Sequence, residues 1–337
     1  MKTSDFDYQL TESFIAQNPV TPRDHCKLMV FDTGLGEVKH MHFYDLKDFL
    51  SASDVLVLNR SKVIPARILF IIDGAEKEIF VLKKLKLNRW QVLVRPGRFF
   101  KQGMFFDIVP DHKVTVIEIC DDGSRIVEAN FDLLNFGVTP LPPYIKNSLA
   151  ADSQYQTVYA KESGSVAAPT AGLHFTPGLL EELKTKGVDI EEVVLHVGRG
   201  TFLPVSVDLI ADHVMHSEEF ELPFVAAKKL NVAHNNGSRI FAVGTTSVRV
   251  LESSFDGSFV SGFSSTDIFI TPGYKWKAVD GLITNFHLPK STLLMLVASF
   301  LENKNVKSPV KKVLELYELA KANDYRFYSF GDAMLIL

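Results

Sequence analysis

Hydrophobic positions follow two rhythms along this chain, and the change between them divides it. From Arg67 to about Asn130, short apolar or alternating runs recur: Ile68 to Ile72, Glu78 to Leu82, Trp90 to Val94, Met104 to Val109, Lys113 to Ile119 and Arg125 to Ala129. Turn signals separate them at Asp73-Gly74, Asn88-Arg89, Pro96-Gly97 and Asp121-Asp122-Gly123. Short strands at this spacing predict a small β-barrel or sandwich. Before it, residues 1–66 carry one clear buried strand, Asp54 to Asn59. After it, Thr139-Pro140-Leu141-Pro142-Pro143-Tyr144 reads as an extended connector, because proline fixes φ and biases the preceding residue away from helix.

Beyond the connector, strands alternate with helices. Thr176 is placed to cap a helix with Pro177 in its first turn, and Gly187 to end it. Strands are expected over Glu191 to Val197, Arg239 to Val243, Asp267 to Ile270 and Gly281 to Phe286, with a last apolar strand from Ala333 to Leu337. Helices are expected from Pro223 toward Asn236-Gly237, over Ser247 to Glu252, over Pro289 to Leu301 and, amphipathic, over Pro309 to Ala322. The fold class is α/β: a larger α/β domain of residues 1–66 plus 146–337, with a small β-barrel domain inserted at 67–145.

Composition narrows the class of protein. A chain of 337 residues has room for two domains at about 150 residues each. Its 46% hydrophobic and 23% charged content is that of a folded, soluble protein. No apolar run nears the roughly 20 residues of a membrane span. The acidic, aromatic N-terminus is not a signal peptide. Cys26 and Cys120 form no motif and read as buried thiols of a reducing cytoplasm. The net charge of −4 requires any nucleic-acid partner to be held by a local patch. The densest one runs from Ile79 to Lys101: Lys83, Lys84, Lys86, Arg89, Arg95, Arg98 and Lys101, with no acid and with Trp90, Phe99 and Phe100 interleaved. It reads either as a surface for a polyanion such as a nucleic acid, with aromatics to stack on bases, or as the solvated face of a small β domain whose aromatics are core.

Four segments carry candidate chemistry. They are Tyr155 to Thr176, Leu195 to Phe202, Ala242 to Arg249 and Leu282 to Pro289, each rich in Gly, Thr, His or Asn where a strand ends. That is where α/β proteins build sites. Gly244-Thr245-Thr246 follows a strand and opens a helix, so it suits a carboxylate or phosphate, or is an ordinary N-cap. It is not a Walker loop. Of ten histidines, His174, His196 and His287 lie at element ends, which favours a polar pocket that Asp280 and Asn285 also line. His213, His216 and Glu218 form a weak metal-ligand pattern; a hydrogen-bonded pair beside a strand edge explains them as well.

With these segments in hand, the chain closely resembles the S-adenosylmethionine:tRNA ribosyltransferase-isomerase family, the epoxyqueuosine-forming enzymes. The resemblance runs in order through Ser4 to Tyr8, Val63 to Arg67, Leu141 to Ile145, Tyr155 to Ala160, Ala168 to Thr176, Leu195 to Gly198, Gly200 to Phe202, Met215 to Glu218, Val243 to Thr246, Pro272 to Tyr274, Thr284 to Pro289, Tyr325 to Phe327 and Gly331 to Met334. It implies a larger α/β domain with an inserted β-barrel. It also implies a reaction: the ribosyl part of S-adenosylmethionine joins the aminomethyl group of 7-aminomethyl-7-deazaguanine at the tRNA wobble position, and adenine and methionine leave. S-adenosylmethionine is then a consumed substrate, and no cofactor or metal is expected. The partners are precursor-bearing tRNA and S-adenosylmethionine, with no membrane and a monomer as the expected state.

Within the resemblance, His174, His196, His287 and Asp280 are the candidate acid–base residues, their individual roles unassigned. Candidate contacts to S-adenosylmethionine or the modified base are Thr170, Gly172, Thr201, His213, His216, Glu218, Gly244, Thr245, Thr246, Arg249, Thr284 and Asn285. Two positions depart from the family pattern. Arg60-Ser61 stands where Asp-Thr is usual, which alters any contact that Asp makes, and Trp276 stands in place of Phe, a packing change. A metal-dependent hydrolase using His213, His216 and Glu218, and a catalytically silent tRNA-binding module, are the rival readings.

Overall fold

A computed structural model describes residues 1–198 and 205–337. The strands, in chain order, are Lys27–Asp32 (β1), Glu37–His42 (β2), Val55–Asn59 (β3), Ser61–Val63 (β4), Arg67–Ile72 (β5), Ala75–Lys84 (β6), Arg89–Arg95 (β7), Phe105–Asp107 (β8), Lys113–Ile119 (β9), Arg125–Ala129 (β10), Glu162–Ser165 (β11), Asp189–Leu195 (β12), Glu218–Leu222 (β13), Ile240–Val243 (β14), Gly262–Thr266 (β15), Gly281–Asn285 (β16) and Ala333–Ile336 (β17). The α-helices are Pro177–Thr185 (α1), Phe224–Asn235 (α2), Gly244–Ser254 (α3), Thr292–Asn303 (α4) and Pro309–Ala322 (α5). The fold is mixed α/β and forms two compact units. One holds Met1–Lys62, Pro143–Glu162 and Ala168–Leu337; the other holds Val63–Pro142 and Ser163–Ala167.

The larger unit is built on a nine-stranded sheet in the order β15-β13-β12-β3-β14-β16-β17-β1-β2. Strands β12, β3, β14 and β16 are mutually parallel, so their carboxyl ends share one end of the sheet. Strands β3, β14 and β16 are buried at every position, which is why they read as continuous apolar runs. Leu56, Leu58, Phe241, Val243 and Ile283 join Leu179 and Leu183 of α1 in one core on one face. Helix α3 packs across the other face, against β12, β3, β14, β16, β13 and β15.

The smaller unit is a six-stranded antiparallel sheet in the order β5-β6-β7-β10-β9-β8. Alternation puts Ile68, Ile79, Val81, Trp90, Val92, Val116 and Val127 into a single core. The sheet curls: Phe70 of β5 stacks on Phe106 of β8 at 5.5 Å, although these strands are at its two ends.

Several elements differ from the sequence expectation. Strands β1 and β2 were not expected; β2 is a half-exposed terminal strand of Glu, Lys and His without an apolar run. The strand expected over 267–270 is displaced to Gly262–Thr266, which pairs with β13, and the Thr266 hydroxyl then accepts from Ile268 N–H and turns the chain. Helix α3 starts at Gly244 and α4 at Thr292, where Ser291 caps it by accepting from Leu294 N–H at 3.2 Å. Cys26 is buried, but Cys120 only half-buried. Trp276 does more than fill space, since its indole N–H donates to Ser299 Oγ at 3.0 Å.

The Thr176 cap forms as expected. Its Oγ1 accepts from Leu179 N–H at 3.2 Å and donates to Asp24 Oδ2 at 2.6 Å. Thr176→Ala removes both bonds and should cost about 1–2 kcal/mol, whereas Thr176→Ser should cost less than about 0.5 kcal/mol. Denaturant midpoints of the two variants check this; equal midpoints would mean that the cap is unimportant.

Candidate active site

The shared direction of four strands brings the singled-out segments to one end of the sheet. His196 follows β12, Gly244 follows β14, and Asn285 ends β16 with His287 two residues on. A 3-10 turn, Thr170–His174, packs there against β16 and α3.

The Asn285 side chain ties this region together. The Tyr328 carbonyl can only accept, so the Asn285 amide nitrogen faces it, at 3.2 Å. The same nitrogen lies 3.0 Å from His174 Nε2, which must therefore accept. The His174 proton then sits on Nδ1, 3.1 Å from Cys26 Sγ. Asn285 Oδ1 accepts from the Thr170 hydroxyl at 3.2 Å. Burial, helped by the charges of Arg326 and Arg23, lowers the His174 pKa to about 3. Burial and the charge of Asp332 push the Cys26 thiol up. At neutral pH this is an uncharged imidazole with both nitrogens engaged, suited to holding Asn285 rather than to taking a proton from a ligand.

His287 is similar. Its Nε2 lies 2.7 Å from Thr284 Oγ1, its N–H donates to the Tyr317 hydroxyl at 3.0 Å, and its carbonyl accepts from Tyr8. Burial lowers its pKa to about 3.

Buried hydroxyls lie against the 3-10 turn and in the first turn of α3. A Cβ at Gly172 would overlap the Tyr159 hydroxyl, so glycine is needed there. Gly244 has φ +81°, which lets the chain turn from β14 straight into α3. That helix has no side-chain cap, so its first N–H groups point outward. Among the described residues, Thr157 Oγ1, Tyr159 Oη and Thr246 Oγ1 are buried without hydrogen-bond partners. Thr157 and Tyr159 were not picked out from the sequence as site residues, although both fall in its polar segment; unpaired buried hydroxyls are a tertiary property. Thr245 beside them is buried too.

Glu218 and Arg249 form a buried pair. Glu218 Oε2 is hydrogen-bonded to Arg249, its Oε1 accepts from Gly198 N–H at 2.8 Å, and Arg249 also donates to the Thr266 carbonyl at 3.0 Å. Both side chains are buried, and losing one partner of such a pair costs about 3–5 kcal/mol. The metal-site reading thereby loses its carboxylate. His213 packs on Phe269 at 5.3 Å, and His216 is exposed.

Asp280 does not join the histidines. It precedes β16 at the opposite end of the sheet, where its carboxylate accepts from Ile240 N–H at 2.9 Å. Thr201 lies outside the described residues. His196 borders an open cavity of about 840 Å³ with Arg60, Glu162, Glu219, Glu221 and Phe263. No alternation or motif marked those last four residues, because three are ordinary-looking surface acids.

In the smaller unit, all seven basic residues are exposed. Lys84 pairs with Asp132 at 2.7 Å and lies 4.6 Å from the centre of the Trp90 ring, and Arg89 pairs with Glu128 at 3.1 Å. Trp90 and Phe100 are core, so they offer no stacking platform.

The two buried histidines set a pH dependence. Folded, each titrates near 3, against an ordinary value of 6.5. Between these values the unfolded chain binds more protons, so stability is complete above 6.5 and falls as pH drops through the window. The loss is at most about 1.4 kcal/mol per pH unit for each histidine. Replacing His287 by Gln should flatten the dependence between pH 6.5 and 5 in denaturant titrations; an unchanged slope would show that His287 does not contribute.

Comparisons with known proteins bear on the family of the chain. A family profile described as "Queuosine biosynthesis protein" matches residues 3–336. A protein of Carboxydothermus hydrogenoformans named S-adenosylmethionine:tRNA ribosyltransferase-isomerase is 48% identical over 345 residues, spanning 100% of both chains. Another so named, from Staphylococcus saprophyticus, is 47% identical over 343 residues and spans 98% of both. The crystal structure of S-adenosylmethionine tRNA ribosyltransferase from Thermotoga maritima is 39% identical, with a TM-score of 0.57, and the match covers 99% of this chain and 100% of that one. With identity this high along its full length, the chain belongs to the queuosine biosynthesis protein family.

Proposed function

We propose that this chain is a tRNA-modifying transferase-isomerase. It moves the ribosyl part of S-adenosylmethionine onto the aminomethyl group of 7-aminomethyl-7-deazaguanine at the tRNA wobble position and isomerises it to the epoxycyclopentanediol of epoxyqueuosine. The observation that carries this reading is the full-length similarity to relatives bearing that enzyme's name. S-adenosylmethionine is a consumed substrate, and the reaction uses neither a resident cofactor nor a metal. The enzyme works as a cytoplasmic monomer. Residues 67–145 form an inserted β-barrel domain on an α/β domain of 1–66 plus 146–337. The curl that stacks Phe70 on Phe106 supports the barrel.

The chemistry requires a base and an acid. The sulfonium acidifies the ribose 5′ hydrogens, one of which is removed, and protonation assists the departure of adenine. His196 is the first candidate, because it borders the open cavity, whereas His174 holds Asn285. The N-terminus of α3, with the hydroxyls of Thr157, Tyr159 and Thr246, suits the methionine carboxylate.

Purified protein should release adenine from S-adenosylmethionine only with tRNA carrying the deazaguanine precursor. S-adenosylhomocysteine and methylated tRNA would instead indicate a methyltransferase. In the same assay, at least one of His174→Ala, His196→Ala and His287→Ala should lower turnover by about 10²-fold. Near-normal turnover in all three would place the acid–base group elsewhere.

The basic stretch is proposed as the tRNA surface. Changing Lys83, Lys84 and Lys86 to Glu should weaken tRNA binding and flatten its salt dependence, leaving S-adenosylmethionine binding unchanged. An unaltered salt slope would mark this face as plain solvated surface.

A further inference from the structure

The hydrogen bonds through Asn285 all run one way. The Tyr328 carbonyl, which can only accept, fixes the amide, whose nitrogen spends one proton on that carbonyl at 3.2 Å and the other on His174 Nε2 at 3.0 Å. His174 therefore carries its own proton on Nδ1 and gives it to Cys26 Sγ at 3.1 Å. On the other side of the amide, Oδ1 has lone pairs alone, so the Thr170 hydroxyl at 3.2 Å donates to it. A hydroxyl has one proton and two lone pairs. With its proton given to Asn285, Thr170 Oγ1 meets any further partner as an acceptor only. Among the described residues, Asn285 is its one hydrogen-bond partner.

Thr170 is half-buried and opens the 3-10 turn at the carboxyl end of β16. Ala171 beside it lies against the first residue of α3: a Cβ on Gly244 would stand 3.5 Å from Ala171 Cβ. Unpartnered buried hydroxyls are close by, those of Thr157 and Tyr159 against Gly172 of the same turn and that of Thr246 in the first turn of α3. Buried polar groups left unpaired within the chain call for a partner from outside it. The side chains joined to Thr170 are uncharged: Asn285 is an amide, and His174, whose pKa burial lowers to about 3, is neutral. They also have no donor to spare, because both Asn285 N–H groups and the His174 Nδ1–H are already engaged.

A single neutral acceptor with no donor beside it selects among the groups that S-adenosylmethionine carries. Its carboxylate has no proton to give. Its ammonium pairs best with a carboxylate. Adenine N6–H2 sits next to the acceptor N1, so that edge is matched by an acceptor and a donor side by side. A ribose hydroxyl needs one neutral acceptor for its proton. We propose that the Thr170 hydroxyl accepts a hydrogen bond from a ribose hydroxyl of S-adenosylmethionine, and that the bonds from Cys26 through His174 and Asn285 fix it in that sense. This rests on the functional reading above. Thr170 then touches substrate, and Cys26, His174 and Asn285 act through it as positioning residues.

The test uses the full-length protein and equilibrium binding of S-adenosylmethionine, its 2′-deoxy and 3′-deoxy analogues and its N6,N6-dimethyl analogue. Thr170→Val keeps the shape of the side chain and removes the hydroxyl. It should weaken S-adenosylmethionine binding about three- to tenfold, the scale of one neutral hydrogen bond. On the wild type, one deoxy analogue should lose the same factor. On Thr170→Val that analogue should bind as S-adenosylmethionine does, because both changes delete one contact and their effects do not add. Losses that multiply would overturn the assignment, and so would deoxy analogues that bind the wild type as tightly as S-adenosylmethionine. A loss with the dimethyl analogue that vanishes in Thr170→Val would put adenine at this hydroxyl instead. If Thr170→Val unfolds in a thermal melt, Thr170→Ala replaces it in the same cycle. Nitrogen NMR of histidine-labelled wild type, with His174 assigned by its missing signal in His174→Gln, should show the proton on Nδ1; a proton on Nε2 would reverse the chain of bonds and overturn the proposal. A wild type that binds no S-adenosylmethionine would defeat the functional reading and this inference with it, whereas binding that ignores the ribose hydroxyls defeats the inference alone.

Discussion

Parallel pairing of four strands is the constraint on which this structure depends. Strands β12, β3, β14 and β16 run the same way. Three of them have no exposed residue, so a polar side chain such as Thr284 or Asn285 is held on them by hydrogen bonds at the carboxyl end. Buried backbone must be hydrogen-bonded, and the ladders do this until the strands stop. Beyond that point side chains take over, and four separate stretches of sequence meet. Three of the site segments are neighbours because β12, β14 and β16 before them are parallel, and the Thr170–His174 turn joins them by packing against β16 and α3.

The polar groups at that end are tied to backbone as well as to each other. Asn59 finishes β3 by accepting from Leu195 N–H and Ser61 N–H and donating to the Leu195 carbonyl, each at 3.1 Å. Asn285 does the same for β16 through Tyr328, His174 and Thr170. Glu218 and Arg249 close the β12–β13 end. Networks of this kind cost desolvation, but once satisfied they allow a single arrangement. Among the described residues, the buried hydroxyls of Thr157 and Tyr159, which lie against Gly172, and of Thr246 in the first turn of α3 have no such partners.

Charge is divided between the two units in a way that the net value of −4 hides. The smaller unit displays an exposed run of lysine and arginine, in which Lys84 pairs with Asp132 and Arg89 with Glu128. The larger unit has an open cavity that Arg60, Glu162, Glu219 and Glu221 border among the described residues. Paired surface charges contribute little to stability, about 0–1 kcal/mol each, so the placement matters for binding more than for folding.

The amino-acid sequence by itself determined the elements whose signal is local. The amphipathic helix Pro309–Ala322 and the strands Lys113–Ile119 and Arg125–Ala129 have the bounds expected from pattern alone, and the Thr176-Pro177 start needs only adjacent residues. Family membership was legible for the same reason, since motifs in order are a linear property. Strands β2, β13 and β15 were not legible. Glu218 occupies an inward position that pattern reserves for apolar residues, and partners distant in sequence, Arg249 at 31 residues and Gly198 N–H at 20, satisfy its carboxylate there. The histidines show the same division. Their positions at element ends were readable, but that His174 is held between Cys26 and Asn285, 148 and 111 residues away, was not. Nor was the placing of Asp280 at the far end of its own strand, which follows from strand direction. Burial, ionisation and partner choice depend on groups distant in sequence, so only the tertiary structure decided them.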